Sequence, residues 1–182
     1  MATPILVTKF FVPIARPELV SRPRLMERLS KGAHRKLMLI SAPAGFGKTT
    51  LVTEWLSNLR GELQEEIQLK NRIAWLSLDE GDNDPVRFLT YFISALNSNN
   101  GSEVAFGKGV LNMLQSPQPP SIETVLTSLI NEIVTVSDRI IFVLDDYHLI
   151  DSQAVHDALS FLLENIPPQL HLIITTREDS LL

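Results

Sequence analysis

The segment Ser41–Thr50 (SAPAGFGKTT) has the residue types and spacing of a loop that binds phosphate groups. Gly47, Lys48 and Thr49 match the end of the pattern G-x-x-x-x-G-K-[ST], while Ala42 stands where that pattern begins with glycine. Glycines let backbone N–H groups converge on an anion, the lysine adds a positive charge, and the last hydroxyl can bind Mg²⁺. We therefore predict that this phosphate loop binds ATP or ADP together with Mg²⁺.

All residues of the loop after Ser41 are expected to contact the nucleotide, and Lys48 is also assigned a catalytic role. The predicted contact residues are Ala42, Pro43, Ala44, Gly45, Phe46, Gly47, Lys48, Thr49 and Thr50. The alternative is an ordinary strand–turn–helix connection that contains Gly-Lys-Thr by chance. The order of strand, glycine loop and helix around the motif favours phosphate binding.

The acidic pair Asp145-Asp146 directly follows the apolar run Ile140–Leu144, which has the character of a buried strand. Ligands of open α/β sheets bind at the carboxyl ends of the strands. We predict that Asp145 and Thr49 hold Mg²⁺, partly through water. Asp146 is predicted to be a catalytic residue that orients or deprotonates the attacking water. A solvated turn after a strand is the alternative.

Arg177 ends a second apolar run, Leu172–Thr176. If this strand lies between the phosphate-loop strand and the Asp145 strand, Arg177 emerges beside the γ-phosphate. A guanidinium suits that place because it binds phosphate oxygens and keeps its charge. A surface arginine paired with Glu178 or Asp179 is equally compatible with the spacing.

Two further polar features receive no functional role from the sequence. Asp79–Asp84 (DEGDND) does not have the spacing of a Ca²⁺ loop, so we expect a solvated loop and helix cap, with at most a minor role near the nucleotide or at a subunit contact. His148 follows the acidic pair and has no further metal ligands spaced around it. We expect His148 to be a packing or hydrogen-bonding residue.

Short apolar runs rich in β-branched residues alternate with helical patterns along the chain. The predicted strands are Leu37–Ser41, Ile73–Leu78, Ile140–Leu144 and Leu170–Thr176. The predicted helices are Arg22–Lys31, Lys48–Leu59, Pro85–Asn97 capped by Asp84, Ser121–Val136, and Ser152–Glu164 capped by Asp151, with a polar loop at Asn97–Gly109. The alternation predicts an α/β fold with a parallel sheet flanked by helices.

The composition is that of a globular domain of 182 residues with a net charge of -5 and no cysteine. The acidic balance and the lack of a dense Lys/Arg run predict no direct DNA binding by this chain. Met1–Phe11 does not resemble a signal peptide, and no apolar run approaches the length of a membrane span. These observations predict a cytoplasmic protein without membrane contact.

Several blocks of the sequence resemble the signal-transducing ATPases with numerous domains, and among them the maltose-regulator type of LuxR-family transcriptional activators. The similar blocks are Ser21–Leu25, Ser41–Thr50, Trp75–Asn83, Leu144–His148 and Thr175–Arg177. They follow one another along nearly the whole chain. The resemblance implies a three-layer P-loop nucleoside triphosphatase core in which the Walker A strand and the Walker B strand, here those of the phosphate loop and the acidic pair, are not adjacent.

The resemblance also implies a function. ATP and an inducer would drive self-association, and a slow Mg²⁺-dependent ATPase would reset the switch. Arg22 and the apolar Leu19-Val20 pair would contact the adenine side, and Arg177 would sense the γ-phosphate. A small-molecule kinase or another metabolic P-loop enzyme is the alternative, although no lid with phosphate-binding arginines is evident between Asp79 and Ser137. A nucleotide-binding module without turnover is a third possibility.

The resemblance carries two structural expectations. The related regulators continue into a helical lid, a winged-helix module, a sensor domain and a helix-turn-helix, so we expect residues 1–182 to be a nucleotide-binding core without these parts. A fifth strand would come later in the chain, so Leu37–Ser41 is expected to be an open sheet edge. Ile5–Phe11 could fold over that edge, or two chains could pair through it. We favour self-association or marginal stability, because Pro4 and Pro13 limit how long that stretch can pair as a strand.

Overall fold

A parallel sheet with the strand order β1-β4-β3-β2 forms the centre of the computed structural model. The structure describes residues 4–14, 20, 22–62, 71–98 and 107–177. The strands are β1 (Leu37–Ser41), β2 (Asn71–Ser77), β3 (Arg139–Asp145) and β4 (Leu170–Thr176). Neighbouring strands are parallel throughout. Since β4 separates β1 from β3, the predicted α/β fold is confirmed, and the phosphate-loop strand is not adjacent to the Asp145 strand.

Helices cover both faces of the sheet. They are α1 (Pro23–Gly32), α2 (Lys48–Glu62), α3 (Pro85–Ser98), α4 (Lys108–Leu114), α5 (Ile122–Val134) and α6 (Gln153–Glu164). Successive strand residues point to opposite faces, so one core gathers against α1 and α2 and the other against α3 to α6. Trp55 and Trp75 are buried in the first core, and Phe92 stacks on Phe142 in the second at 4.1 Å between ring centroids. The result is a three-layer sandwich.

The observed helix boundaries correct two expectations. Helix α2 continues through Glu62 instead of ending before Gly61. The polar segment Asn97–Gly109 ends in helix α4, which begins at Lys108. This helix was not predicted, because its buried face is short and consists of Val110 and Leu114. Residues 99–106 of the segment lie outside the described residues.

No helix in the described ranges is long and apolar enough to cross a membrane.

Two predicted helix caps had different outcomes. Asp84 caps α3 as predicted, since its Oδ1 accepts a hydrogen bond from the Arg87 amide at 2.7 Å. Asp151 does not cap α6, because the N-cap position is Ser152. The amides of Asp151 and Ser152 instead donate to Oδ1 of Asn83, at 2.7 and 2.8 Å. The Asn83 side chain therefore holds the segment that leads into α6.

The two edges of the sheet are covered differently. Among the described residues, β1 pairs with β4 alone, and its Leu39 is 49% exposed, as expected of an open edge. The N-terminal segment lies at the opposite edge. Its 3₁₀ turn Val7–Phe10 packs against β2 and α3, where Phe10 contacts Tyr91. The expectation that Ile5–Phe11 might fold over β1 is therefore wrong, because its buried residues Lys9 and Phe10 find partners beside β2.

Candidate nucleotide-binding site

The phosphate loop joins β1 to α2 through two glycines in left-handed conformations. Gly45 has φ 82° and Gly47 has φ 74°, values that side chains with a Cβ disfavour. The loop then enters α2, where the Leu51 amide donates to the Gly47 carbonyl at 2.9 Å. The unpaired amides and the dipole at the start of this helix favour an anion.

Lys48 places its ammonium inside the loop. The residue is 9% exposed, and Nζ donates to the carbonyl oxygens of Ala42 at 2.7 Å and Pro43 at 3.2 Å. These partners in the described chain are neutral carbonyls rather than carboxylates. The positive charge of Lys48 is therefore available to the β- and γ-phosphates of a nucleotide.

Thr49 and Asp145 meet across the cleft between the loop and β3. The Thr49 hydroxyl lies 3.0 and 3.1 Å from the two Asp145 carboxylate oxygens, and the Thr175 hydroxyl donates to Oδ1 at 2.5 Å. Burial raises the pKa of the Asp145 carboxyl, the hydrogen bond from Thr175 opposes that rise, and the charge of Asp146 adds to it. Thr175 is a site residue that the sequence analysis missed, since its contact with Asp145 depends on the order of the strands.

The donor set fits Mg²⁺ in the manner usual for nucleotide sites. A hydroxyl and a carboxylate converge within hydrogen-bond distance, and oxygen atoms are the ligands this ion prefers. Within the described residues, no group of three or more His, Cys, Asp and Glu side chains could hold a metal ion. Thr49 and Asp145 would therefore hold Mg²⁺ directly or through water, with phosphate oxygens completing its coordination.

Asp146 begins the turn that follows β3. Its backbone is left-handed at φ 61° and ψ 40°, and its side chain is 47% exposed. The Asp146 amide donates to the Thr175 hydroxyl at 3.1 Å, so the backbone is fixed to β4. Burial lowers the pKa of the nearby His148 imidazole, and the charge of Arg177 lowers it further.

One open cleft of about 680 Å³ brings most of the predicted site residues together. Of the residues predicted from the sequence, its lining includes Val20, Arg22, Ala44, Gly45, Gly47, Lys48, Thr49, Thr50, Asp146 and Arg177. Glu54 and Leu51, which were not predicted, also line it. Because β4 separates β1 from β3, Arg177 emerges on the same side as the loop, as the strand order required.

Arg22 connects the cleft to a second, smaller recess. Its Nη1 donates to the Phe46 carbonyl at 2.8 Å, and the guanidinium lies beside Gly47. The recess of about 380 Å³ is lined by apolar side chains of α1, β1 and α2 together with Ala42 and Phe46. Arg22 thus contacts the loop itself, and Val20, which is 82% exposed, lines the outer part of the cleft.

Comparisons with known proteins agree with this geometry. Residues 31–182 match the family described as "AAA domain". The chain is 34% identical over 173 residues to the "HTH-type transcriptional regulator MalT" of Klebsiella pneumoniae subsp. pneumoniae, covering 95% of this chain and 18% of that protein. The MalT regulator of Cronobacter sakazakii gives the same identity and coverage. The resemblance predicted from the motifs is confirmed, and the chain spans 18% of the length of these relatives.

A solved structure described as "Structure of C. elegans PCH-2" is also similar. It shares 16% sequence identity with a TM-score of 0.41, and the match covers 87% of this chain and 35% of that one. A likeness of this size supports no argument about the site.

Proposed function

The chain belongs to the AAA domain family, and from this premise we propose that it is the ATP/ADP-binding switch domain of a signal-responsive transcriptional regulator. A slow Mg²⁺-dependent ATPase would reset its self-association. The observation that carries the proposal is the contact of Thr49 with Asp145 at 3.0 Å. It joins the phosphate loop to the acidic strand end, and Thr49 lines the same cleft as Lys48 and Arg177, with Asp145 buried behind it.

The residues of the cleft would divide the work of binding and hydrolysis. The loop amides and Lys48 would neutralise the phosphates, while Thr49 and Asp145 would hold Mg²⁺, which supplies charge neutralisation between the β- and γ-phosphates when bound. Asp146 would orient the attacking water, and Arg177 would contact the γ-phosphate. Arg22 and Val20 would lie on the adenine side of the loop.

Isothermal titration with ATP and Mg²⁺ tests the binding site. Lys48→Ala removes charge-assisted contacts of about 1.5–3 kcal/mol each, so the affinity should fall on the order of tenfold to a hundredfold. Lys31→Ala is the matched control, because Lys31 is 74% exposed and pairs with the exposed Glu27 on the surface of α1. An unchanged dissociation constant for Lys48→Ala would refute nucleotide binding at the loop.

Self-association is proposed to use the open edge of the sheet. Leu39 on β1 is 49% exposed, and an unpaired edge strand is a template for a second chain. Light scattering with ATP, with ADP and without nucleotide tests this, and Leu39→Lys should weaken association. A monomer under all three conditions would contradict the proposal.

Saturable, sequence-dependent DNA binding in gel-shift experiments would contradict the prediction that this chain does not bind DNA.

The kinase alternative finds no specific support in the described residues. A kinase needs a mobile lid and an acceptor pocket, but α3 and α5 bury apolar faces in the core. Arg87 is the arginine of this region, and it bonds Asp79 and Asp82 rather than facing the phosphate loop. The same titration with candidate small-molecule acceptors would reveal phosphoryl transfer if it occurred.

A further inference from the structure

His148 is a nearly buried histidine whose ring forms no hydrogen bond with the described residues. Its side chain is 11% exposed, and both ring nitrogens are buried without a hydrogen-bond partner in the described part of the chain. Buried polar atoms are normally bonded, so such an exception requires an explanation. The nearest acidic group is the Asp146 carboxylate, whose Oδ1 lies 3.8 Å from Nδ1 of His148.

Other residues hold the turn that carries His148. Asn83 donates from Nδ2 to the Leu149 carbonyl at 3.0 Å, and the Leu149 amide donates to the Asp146 carbonyl at 3.1 Å. Tyr147 is 1% exposed, and its hydroxyl bonds His156 at 2.7 Å. The turn that carries His148 is therefore held by its neighbours, and the ring nitrogens remain available among the described residues.

Asp146 has the opposite properties. Its side chain is 47% exposed, and among the described residues its carboxylate accepts no hydrogen bond. A carboxylate that must aim a water at a phosphate needs one defined orientation, because catalysis depends on geometry at the level of an ångström. The buried ring and the exposed carboxylate lie close enough for a side-chain rotation of Asp146 to bring them to hydrogen-bond distance, about 2.9 Å.

We propose that His148 is a positioning residue for Asp146, donating from Nδ1 to its carboxylate and aiming it at the attacking water when a triphosphate occupies the cleft. The inference rests on the proposed nucleotide hydrolysis. The ring also lies within the electrostatic reach of Lys48 and Arg177. An uncharged N–H donor suits this place, since it orients the carboxylate without adding another cation beside the phosphate.

Three substitutions at His148 separate the role of Nδ1 from that of the ring as a whole. The amide N–H of Asn lies close to the position of Nδ1, whereas that of Gln lies closer to Nε2. His148→Leu and His148→Gln should slow ATP hydrolysis on the order of tenfold, a part of the ~10²–10⁴ that a general base supplies. His148→Asn should retain most of the wild-type rate of hydrolysis. The affinity for ADP should not change in any of the three variants.

His156→Leu is the matched control. It removes the bond to Tyr147 that supports the same turn but does not touch Asp146. It should lower Tm while leaving hydrolysis unchanged. In an Asp146→Asn background, His148→Leu should cause no further loss of rate. Additive losses, or equal rates for the Asn, Gln and Leu variants, would show that His148 does not act through Asp146.

Ring ¹⁵N NMR of the whole chain provides a test that does not depend on turnover. The chain has 4 histidines, and His148→Asn assigns the signal. The Nδ1 signal should shift to that of a hydrogen-bonded N–H with Mg²⁺ and AMP-PNP but not with Mg²⁺ and ADP. If the Gly45 and Gly47 amides respond to both nucleotides and His148 does not distinguish them, the positioning role is refuted while nucleotide binding stands. If these amides respond to neither, both proposals fail.

Discussion

Two acidic pairs follow neighbouring strands at the same end of the sheet, yet they have opposite surroundings. Asp79 and Asp82 follow β2, and cations contact both of them: Lys9 bonds each carboxylate, and Arg87 bonds each as well. Asp145 ends β3, and its partners are the hydroxyls of Thr49 and Thr175. The first group is neutralised by the protein itself, whereas no cation of the described residues bonds Asp145.

The comparison indicates which acidic cluster is structural. Asp82 is 0% exposed and Lys9 is 6% exposed, so their charges compensate each other inside the protein and attach the N-terminal segment to β2. The expectation of a solvated loop at Asp79–Asp84 is therefore wrong for Asp82. Cation-π contacts of Lys9 and Arg87 with the Tyr91 ring extend the cluster. The carboxylates of Asp79 and Asp82 are already paired with cations of the protein, whereas the Asp145 carboxylate is bonded by hydroxyls and suits a cation.

The pKa values of Asp79 and Asp145 are shifted in opposite directions, in agreement with their different partners. Partial burial raises the pKa of Asp79, but the hydrogen bond and charge of Lys9 outweigh it, so the pKa lies below its usual value. Burial raises the pKa of Asp145, and its hydroxyl partners do not offset that effect. Ionised Asp79 is therefore favoured by folding, and ionised Asp145 is disfavoured until a cation is present.

The largest expected effect is at the paired cluster. Asp82→Ala leaves the buried Lys9 ammonium without its buried partner, which should lower the free energy of unfolding by about 3–5 kcal/mol. Urea denaturation measures this loss. Glu27→Ala, which breaks an exposed pair, is the control and should cost less than about 0.5 kcal/mol. ATP affinity should be unchanged at temperatures where the variant is folded; a selective loss of ATP binding would assign a nucleotide role to the cluster.

The next effect concerns turnover. Asp146→Asn should spare nucleotide binding and slow hydrolysis on the order of a hundredfold, because it removes the group that orients or deprotonates the water. Single-turnover hydrolysis with titrated ATP affinity separates the two quantities. Weaker binding with intact turnover would mean that Asp146, rather than Asp145, belongs to the metal site.

Asp145→Asn should weaken the Mg²⁺ dependence of nucleotide binding by about 1.5–3 kcal/mol, the range for interactions of a charged group. In the nucleotide-free protein, the same substitution should increase the stability. Because the folded-state pKa of Asp145 is raised, the stability of the wild type falls as the pH rises through that pKa, and Asp145→Asn does not suffer this loss. Its Tm should exceed that of the wild type at neutral pH, with the difference shrinking on acidification. A lower Tm at every pH would contradict this account.

The smallest effect is expected at Asp79, whose side chain is 49% exposed. Asp79→Asn should cost at most about 1 kcal/mol at neutral pH, because solvent screens the pair. Its folded pKa is lowered, so the contribution is present above the unfolded value of 3.8 and is lost as the pH falls through the folded value. Thermal melts of the wild type and Asp79→Asn from neutral to acidic pH would measure this contribution. A loss of stability as large as that of Asp82→Ala would mean that the difference in solvent exposure does not determine how much each carboxylate contributes.

Strand positions and the phosphate loop were accessible to sequence reasoning. The predicted strands at Leu37–Ser41 and Leu170–Thr176 have the observed bounds, because each is a nearly continuous apolar run. The second strand is buried throughout, whereas the first lies at the edge of the sheet and is partly exposed. Helix α4 escaped prediction because its buried residues, Val110 and Leu114, form one short apolar face. The Asn83 contacts that hold the segment before α6 join positions 68 and 69 residues apart, which no local pattern indicates.

By itself, the sequence determined the chemistry of the phosphate loop and the acidic end of β3, because both depend on residues that are adjacent in the chain. The tertiary structure alone decided which acidic cluster is neutralised. Lys9 reaches Asp82 across 73 residues, and Thr49 reaches Asp145 across 96. A carboxylate becomes part of a salt bridge or a cation site according to the groups that folding brings to it, and the order of the strands determines which groups those are.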